Sequence, residues 1–408
     1  MAEPLLIENA EIEADLELGG DIRFDRRLSP YALAPRSIFL TGATGFVGAF
    51  LIDELMRNTE ATLYCLVRGS EDQSEMDRLV THLRSYGLWH DGYLERIFAI
   101  NGDITQPRFG LTNAEFTDLA GECDAVYHSA GWLNMSFPYS RLKPVNVDGT
   151  REILRFAGRA VTKPLHFLSS MVVFFSDAHT EAPMVSEFDD PQYSPSLKGG
   201  YGKSKWVADR LVAAAQDRGL PACIHRPVRI MGHSRTGAIN DLNDVLPLLL
   251  KGCILMGKAP SLDVKVTMVP VDYVCRAMVH VAKYEESWGR AFHFFHPDPI
   301  PWADLLDLVR DAGYPLTGMP YSDWLRELKQ RAKDRGTPAD ERLFFGTLLI
   351  ALTAPHYLFY PRPPLDSTSI RVALEGTDIG CPAIDRELIG TYLGHWRKIG
   401  YIPEPLRF

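Results

Sequence analysis

The stretch Thr41-Gly42-Ala43-Thr44-Gly45-Phe46-Val47-Gly48 follows directly on an apolar run, Ser37 to Leu40, and leads into the helical pattern of Phe50 to Met56. Strand, glycine turn and helix in immediate succession open a βαβ unit, which leaves few other folds available to the chain. The turn has to bend sharply at Gly42, approach a pyrophosphate closely at Gly45, and let the helix pack on the sheet at Gly48. The helix start at Phe46 and Val47 offers unpaired N–H groups and a positive dipole to an anion, with Thr41 and Thr44 in the same turn. The spacing is GxxGxxG, a variant of the GxGxxG form. Three glycines alone are also explained as a structural turn, and it is their place between strand and helix that points to nucleotide binding.

The same rhythm continues downstream. Strands are predicted at Ser37–Leu40, Thr62–Val67, Arg96–Ile100, Ala125–His128, Leu165–Ser169 and Ala222–His225, with helices near Phe46–Asn58, Leu142–Arg159 and Tyr201–Asp217. Short runs that are apolar throughout are the pattern of parallel strands buried on both faces. The expected fold is α/β, a doubly wound parallel sheet of the Rossmann kind. After about Arg229 the rhythm loosens, and from Pro301 it reads mainly helical, at Trp302–Ala312, Asp323–Lys333, Arg342–Leu352 and Ala383–Lys398. A chain of 408 residues has room for one large core and a cap. The expected division is an N-terminal extension or linker over 1–35, a Rossmann domain over 36–298 with excursions near 175–195 and 232–265, and a smaller helical substrate-binding subdomain over 299–408. Residues 1–35 alternate acidic and aliphatic residues without a stable period and end in Ser29-Pro30 and Pro35, as a surface extension does.

A formal net charge of -9 and a pI of about 5.8 leave no excess of Lys and Arg, which argues against a general affinity for nucleic acid or anionic lipid. The cysteines Cys65, Cys123, Cys223, Cys253, Cys275 and Cys381 are scattered, with no CxxC pair, and fit buried positions in a reducing cytoplasm. The acidic N-terminus lacks the basic start and apolar stretch of a secretory signal, so export is not expected. The run Leu343–Ala354, followed by Pro355, falls short of the ~20 residues that span a bilayer. It is expected to be a buried helix, the alternatives being a tunnel wall or a loose membrane contact. The histidines show no ligand spacing such as HExxH, and no metal is expected.

The residue ending the second strand selects the nucleotide: an acid there binds the ribose 2'-hydroxyl of NAD, whereas an Arg suits the 2'-phosphate of NADP. Here Val67 is followed by Arg68, and Arg78 lies on the next helical stretch, so the expected cofactor is NADPH. Asp103, in Asn101-Gly102-Asp103-Ile104, can accept from an adenine amino group or simply close the loop turn. Tyr201 and Lys205 stand four apart at the start of a helix and project from one face. An adjacent ammonium stabilises a phenolate and lowers the Tyr pKa from ~10, which would make Tyr201 a usable proton donor. Upstream, Leu168-Ser169-Ser170-Met171 follows the fifth strand, where a hydroxyl faces the cofactor cleft.

With these residues in place the chain resembles an extended short-chain dehydrogenase/reductase, and within that group the thioester reductase domains. Those domains terminate nonribosomal peptide and polyketide synthetases and form the reductase part of carboxylic acid reductases. The stretches that carry the likeness are TGATGFVGAFLIDEL, CLVRG, His128 to Thr150, FLSSMVVF, GGYGKSKWVAD, RPVRIMGHSRTG and VPVDYVCRAMVHVA, spanning roughly Arg36 to Ala282. The resemblance implies that Ser170 hydrogen-bonds the substrate carbonyl, with Ser169 as the alternative. It implies that Tyr201 donates the proton, and that Lys205 holds the nicotinamide ribose while tuning Tyr201. Asn146, in NVDGT, resembles the Asn that braces such sites, although an N-cap role stays open. Pro227 and Val228 match the turn against the nicotinamide amide, and Ile104, Ser129 and Ala130 complete the expected cofactor-binding set. His128-Ser129-Ala130-Gly131-Trp132 departs from the commoner HNAA-like run, so His128 is read as structural and Trp132 has no assigned role.

The activity implied is NADPH-dependent reductive release of an acyl or peptidyl thioester, borne on the phosphopantetheine of a carrier protein, to an aldehyde and from there to an alcohol in some cases. Rival readings are a reductase or epimerase acting on an acyl-CoA or free small molecule, a redox-inactive relative that cyclises thioesters, and an NADP-sensing module without turnover. The relative that cyclises lacks the Tyr, and an intact Ser170, Tyr201, Lys205 set speaks against the sensor.

Overall fold

The computed structural model describes every residue except 1, 71, 180–181, 194, 198, 240–241, 243, 354–363 and 406–408. The chain falls into two compact units, one of residues 1–228, 272–294 and 362–380, the other of 229–271, 295–361 and 381–408.

The first unit is built on a seven-stranded sheet. Its strands are β1 (Ser37–Thr41), β2 (Thr62–Val67), β3 (Ile97–Asn101), β4 (Ala125–His128), β5 (Leu165–Leu168), β6 (Ala222–Pro227) and β7 (Ala291–Phe294). They lie in the order β3-β2-β1-β4-β5-β6-β7, all parallel. β1 is buried along its whole length, because helices cover both faces and its unbroken apolar run has no solvent side. The strand order reverses between β1 and β4, which opens a crevice at the carboxyl ends of these two strands, where Thr41 and His128 lie in register. The six strands expected from the sequence are all present. β7 was not anticipated, and its buried His293 breaks the apolar run that would have marked it.

Helix α1 is Ala2–Ala14, α2 Phe46–Asn58, α3 Glu75–Ser85 and α4 Asn113–Glu122. The stretch expected as one helix over Leu142–Arg159 is three elements: α5 (Tyr139–Lys143), a π-helical turn (Pro144–Asp148) and α6 (Gly149–Gly158). Pro144 has no N–H to donate and crowds the preceding turn, so the helix widens there. Helix α7 begins at Gly199 and runs to Asp217.

The expectation of a surface linker over residues 1–35 is corrected. Helix α1 occupies the first part of this segment, and the side chains of Ile12 on that helix and of Leu18, Ile22 and Phe24 after it are buried. Asp15, also buried, accepts from the Tyr139 hydroxyl at 2.7 Å and pairs with Lys143 at 2.8 Å. Glu8 pairs with Lys203 at 2.6 Å. The charges of this segment meet partners more than a hundred residues away, which no local period reveals.

The second unit has its own core around Trp302, Trp324 and Trp396, all under 2% exposed, with Leu246, Leu249 and Leu305. The excursion expected near 232–265 belongs to this unit, whereas residues 362–380, expected in the helical subdomain, belong to the first. The apolar run at Leu343 forms helix Ala339–Thr353, whose Phe345, Leu348 and Leu352 are buried while Leu343 and Ile350 are exposed; Ala354 and Pro355 lie outside the described residues. It is thus buried on one face only. Among the described residues no helix is long and apolar enough to cross a membrane.

Candidate active site

The glycine turn closes on itself through the Gly45 N–H, which donates to the Gly42 carbonyl at 2.8 Å. Gly42 has a φ of +79°, and a Cβ there would stand 2.6 Å from the Ala130 nitrogen. A Cβ on Gly48 would stand 1.9 Å from the Gly42 carbonyl oxygen, so the third glycine lets α2 sit against the turn itself. At Gly45 a Cβ would meet only that oxygen, at 3.1 Å, which leaves open space beside the backbone. The start of α2 has no side-chain cap and no acid in its first turn. The Phe46 and Val47 N–H groups are therefore available to an anion, and the cradle fits a dinucleotide pyrophosphate. Ser129 braces this cradle, its hydroxyl donating to the Thr41 carbonyl at 2.8 Å. Thr44 is half-buried in the same turn.

At the end of β2, Arg68 is exposed, and the Arg78 guanidinium donates to its carbonyl. Among the described residues neither Arg has a carboxylate partner. Asp103 closes its own loop, accepting from the Thr105 N–H at 2.9 Å and hydroxyl at 2.8 Å. Ile104 packs where a Cβ on Gly149 would come within 2.9 Å of it, at the start of α6. Pro227 ends β6 opposite Phe294, and the Val228 N–H donates to the Phe294 carbonyl at 2.9 Å.

Asn146 lies inside the π-helical turn, not at a helix N-cap. Its Oδ1 accepts from the Trp132 N–H at 2.7 Å, and its Nδ2 donates to the Trp132 carbonyl at 3.2 Å and to the Ser204 hydroxyl at 2.9 Å. His128 is fully enclosed between the Thr41 hydroxyl, 2.8 Å from Nδ1, and the Thr150 hydroxyl, 3.1 Å from Nε2. The Thr150 proton goes to the Asn146 carbonyl, so Nε2 carries the imidazole hydrogen and Nδ1 accepts from Thr41. Burial, reinforced by the Lys205 charge, pushes the His128 pKa down to about 3. A neutral imidazole with both nitrogens engaged is a structural one.

Ser170 and Tyr201 come together at the carboxyl end of β5, close enough for the Ser170 hydroxyl to act on the Tyr201 phenol. Ser169, its neighbour, is buried and turned the other way, donating to Asp209, which leaves Ser170 to face a substrate. Lys205 is 5% exposed, and its Nζ donates to the Leu168 carbonyl at 2.7 Å and lies 4.5 Å from the Phe167 ring centroid. The expected tuning of Tyr201 by Lys205 is corrected: burial pushes the Tyr201 phenol up to about 12, and the opposing influence is the neighbouring Ser170 hydroxyl. The ammonium is committed to a backbone carbonyl, and burial, opposed by Asp209, brings Lys205 itself down to about 8.

Residues 40–278 match an NAD-binding family described as male sterility protein. The chain belongs to the male sterility protein family. Over 97% of its length it superposes on 99% of the terminal R domain from the myxalamid PKS-NRPS biosynthetic pathway, with 41% identity and a TM-score of 0.89. It is 36% identical over 367 residues to a linear gramicidin synthase subunit of Brevibacillus parabrevis, a match that takes in 90% of this chain and 7% of that protein. It is 31% identical to the L-2-aminoadipate reductase large subunit of Eremothecium gossypii, over 97% of this chain and 30% of that protein. The chain thus spans under a third of the length of these two curated relatives. The parallel sheet and glycine turn make this male sterility family member an extended short-chain dehydrogenase/reductase, an oxidoreductase that takes a nicotinamide cofactor.

Sequence reasoning missed what lies beneath the catalytic set in this family member. Asp209 stands four residues after Lys205 and eight after Tyr201, on the same face of α7, and Arg226 opens the RPVRIMG string. That spacing and that string were the available signals. The pair ties α7 to β6 below Ser169.

Proposed function

We propose that this domain uses NADPH to reduce the thioester of an acyl or peptidyl chain carried on phosphopantetheine, and so releases the chain as an aldehyde. The observation that carries the reading is that Ser170, at the end of β5, and Tyr201, on α7 with the buried Lys205 four residues on, come together beside the sheet that bears the glycine cradle. Likeness to the terminal R domain over nearly the whole chain supports the substrate class. Arg68 and Arg78 support the phosphorylated nucleotide.

When bound, the nicotinamide supplies a hydride to the thioester carbonyl carbon. As that C–H bond forms, the carbonyl π electrons move to oxygen, where Ser170 donates a hydrogen bond and Tyr201 Oη gives up its proton. Burial keeps the Tyr201 phenol protonated at neutral pH, so the proton is in place beforehand. Lys205, four residues after Tyr201 on α7, would hold the nicotinamide ribose. The hemithioacetal then breaks its C–S bond, its hydroxyl proton passing to sulfur, which yields aldehyde and free thiol. Asn146 holds the loop at Trp132 and the start of α7 in one arrangement through its three hydrogen bonds.

The test is single-turnover NADPH oxidation with an acyl-phosphopantetheine thioester and identification of the product. Tyr201→Phe should slow hydride transfer by ~10²- to 10⁴-fold while NADPH affinity stays the same. Near wild-type transfer by that variant would show that the proton comes from solvent, since His128 is neutral and enclosed. Oxidation of NADPH with a free ketone but with no thioester would overturn the substrate reading.

A further inference from the structure

Resting on the thioester reading, we propose that Arg141 holds the phosphate of the phosphopantetheine arm. Arg141 lies on α5, and its guanidinium carbon stands 3.8 Å from the centroid of the Phe137 ring and 5.7 Å from that of Trp132. The two rings meet edge to face at 5.2 Å and 84°, so they form one platform. The platform is fastened to the catalytic set at both ends. The Trp132 backbone exchanges two hydrogen bonds with the Asn146 side chain. The backbone at Phe137 packs on Gly200, where a Cβ would stand 2.4 Å from the Phe137 carbonyl oxygen, and Gly200 is the residue before Tyr201. Between these anchors Asn134 Oδ1 accepts from the Ser136 and Phe137 N–H groups, each at 3.0 Å, and closes the turn.

The charge on this platform is uncommitted. The neighbouring cations are neutralised, Lys143 by Asp15 and Arg151 by Asp148. Arg141 is exposed, and among the described residues it has no carboxylate partner. A guanidinium held over a ring directs its N–H donors outward in its own plane, which presents two of them side by side to a phosphate. Trp132 and Leu133, 39% and 53% exposed, offer apolar surface next to it for the methyl groups of the arm. In the proposed reading the nucleotide phosphates go to the start of α2, to Arg68 after β2 and to Arg78 on α3. A phosphate at Arg141 therefore belongs to the second substrate.

The same phosphate occurs in a carrier-borne arm and in acyl-CoA. The experiment compares kcat/KM for one acyl group on phosphopantetheine, on pantetheine without phosphate, on CoA and on a carrier protein, in wild type and Arg141→Gln. Wild type should favour phosphopantetheine over pantetheine about tenfold, as for one charge-assisted contact. Arg141→Gln should bring those two substrates to the same value and lower CoA and carrier-protein substrates by a similar factor. Circular dichroism and the melting temperature show whether the variant folds. An equal preference for phosphate in wild type and variant overturns the proposal. A loss confined to the carrier-protein substrate also overturns it and places Arg141 at a contact between proteins. Failure of the thioester reading is told apart, because wild type would then oxidise NADPH with none of the four.

Discussion

Asp209 and Arg226 form a two-pronged ion pair inside the first unit, with Nε 3.0 Å from Oδ2 and Nη2 2.8 Å from Oδ1. Burial alone would raise the Asp209 carboxyl, but Arg226 and the Ser169 hydrogen bond more than offset this and hold it below its ordinary value. Arg226 in turn lies over the Phe174 ring, its guanidinium carbon 5.1 Å from the centroid. The pair fixes α7 against β6 and thereby sets where Tyr201 and Lys205 stand relative to Ser170.

Removing one member leaves the other buried without compensation. Asp209→Asn should therefore cost about 3–5 kcal/mol of stability in chemical denaturation. The double variant Asp209→Leu, Arg226→Met should be more stable than Asp209→Asn, since neither charge remains. If Asp209→Asn melts like wild type, the pair does not hold the helix.

Lys205 gives a pH signature. Its pKa falls from 10.5 to about 8 on folding, mainly through burial. Below pH 8 both folded and unfolded chains carry the charge, and the folded state bears the whole cost of burying it. Between about pH 8 and 10.5 the unfolded chain binds more protons, so this contribution to stability rises with pH. Lys205→Met removes it. The stability of Lys205→Met relative to wild type should be greatest at neutral pH and decline across that window in parallel urea titrations. A pH-independent difference would mean that the amine is not desolvated.

At the end of β2, Arg68→Glu should weaken NADPH binding by roughly 1.5 to 3 kcal/mol and NADH binding far less, since it removes a charge-assisted hydrogen bond that only the phosphorylated nucleotide can accept. Isotherms for both nucleotides decide it. Equal losses would show that Arg68 does not read the 2'-phosphate.

The glycines of the turn separate into two kinds. Gly48→Ala forces a Cβ to within 1.9 Å of the Gly42 carbonyl oxygen, so the turn must open, with a stability loss of about 1–3 kcal/mol and loss of cofactor binding. Gly45→Val meets only one backbone oxygen, at 3.1 Å. It should keep the fold and lose the cofactor. Thermal melts beside cofactor titrations distinguish the two, and normal cofactor affinity in folded Gly45→Val would remove the pyrophosphate from this turn.

The local part of this protein was legible in its sequence. The glycine turn, the unbroken apolar strands and the four-residue spacing of Tyr201 and Lys205 depend on neighbours within a few positions, and periodicity reports those directly. They were enough to expect the doubly wound sheet and six of its seven strands. What tertiary structure decided is where partners come from far along the chain. Ser169 and Ser170 are adjacent and chemically alike, and only the packing of α7 on β6 turns one to Asp209 and leaves the other beside Tyr201. Lys205 and Tyr201 share a helix face, yet the ammonium goes to the Leu168 carbonyl because that acceptor lies within reach of the buried amine. The N-terminal segment reads as a surface extension until Asp15 is placed beside Tyr139 and Lys143. Burial and the charges it brings together are properties of the whole fold, and they decide which proton each group keeps.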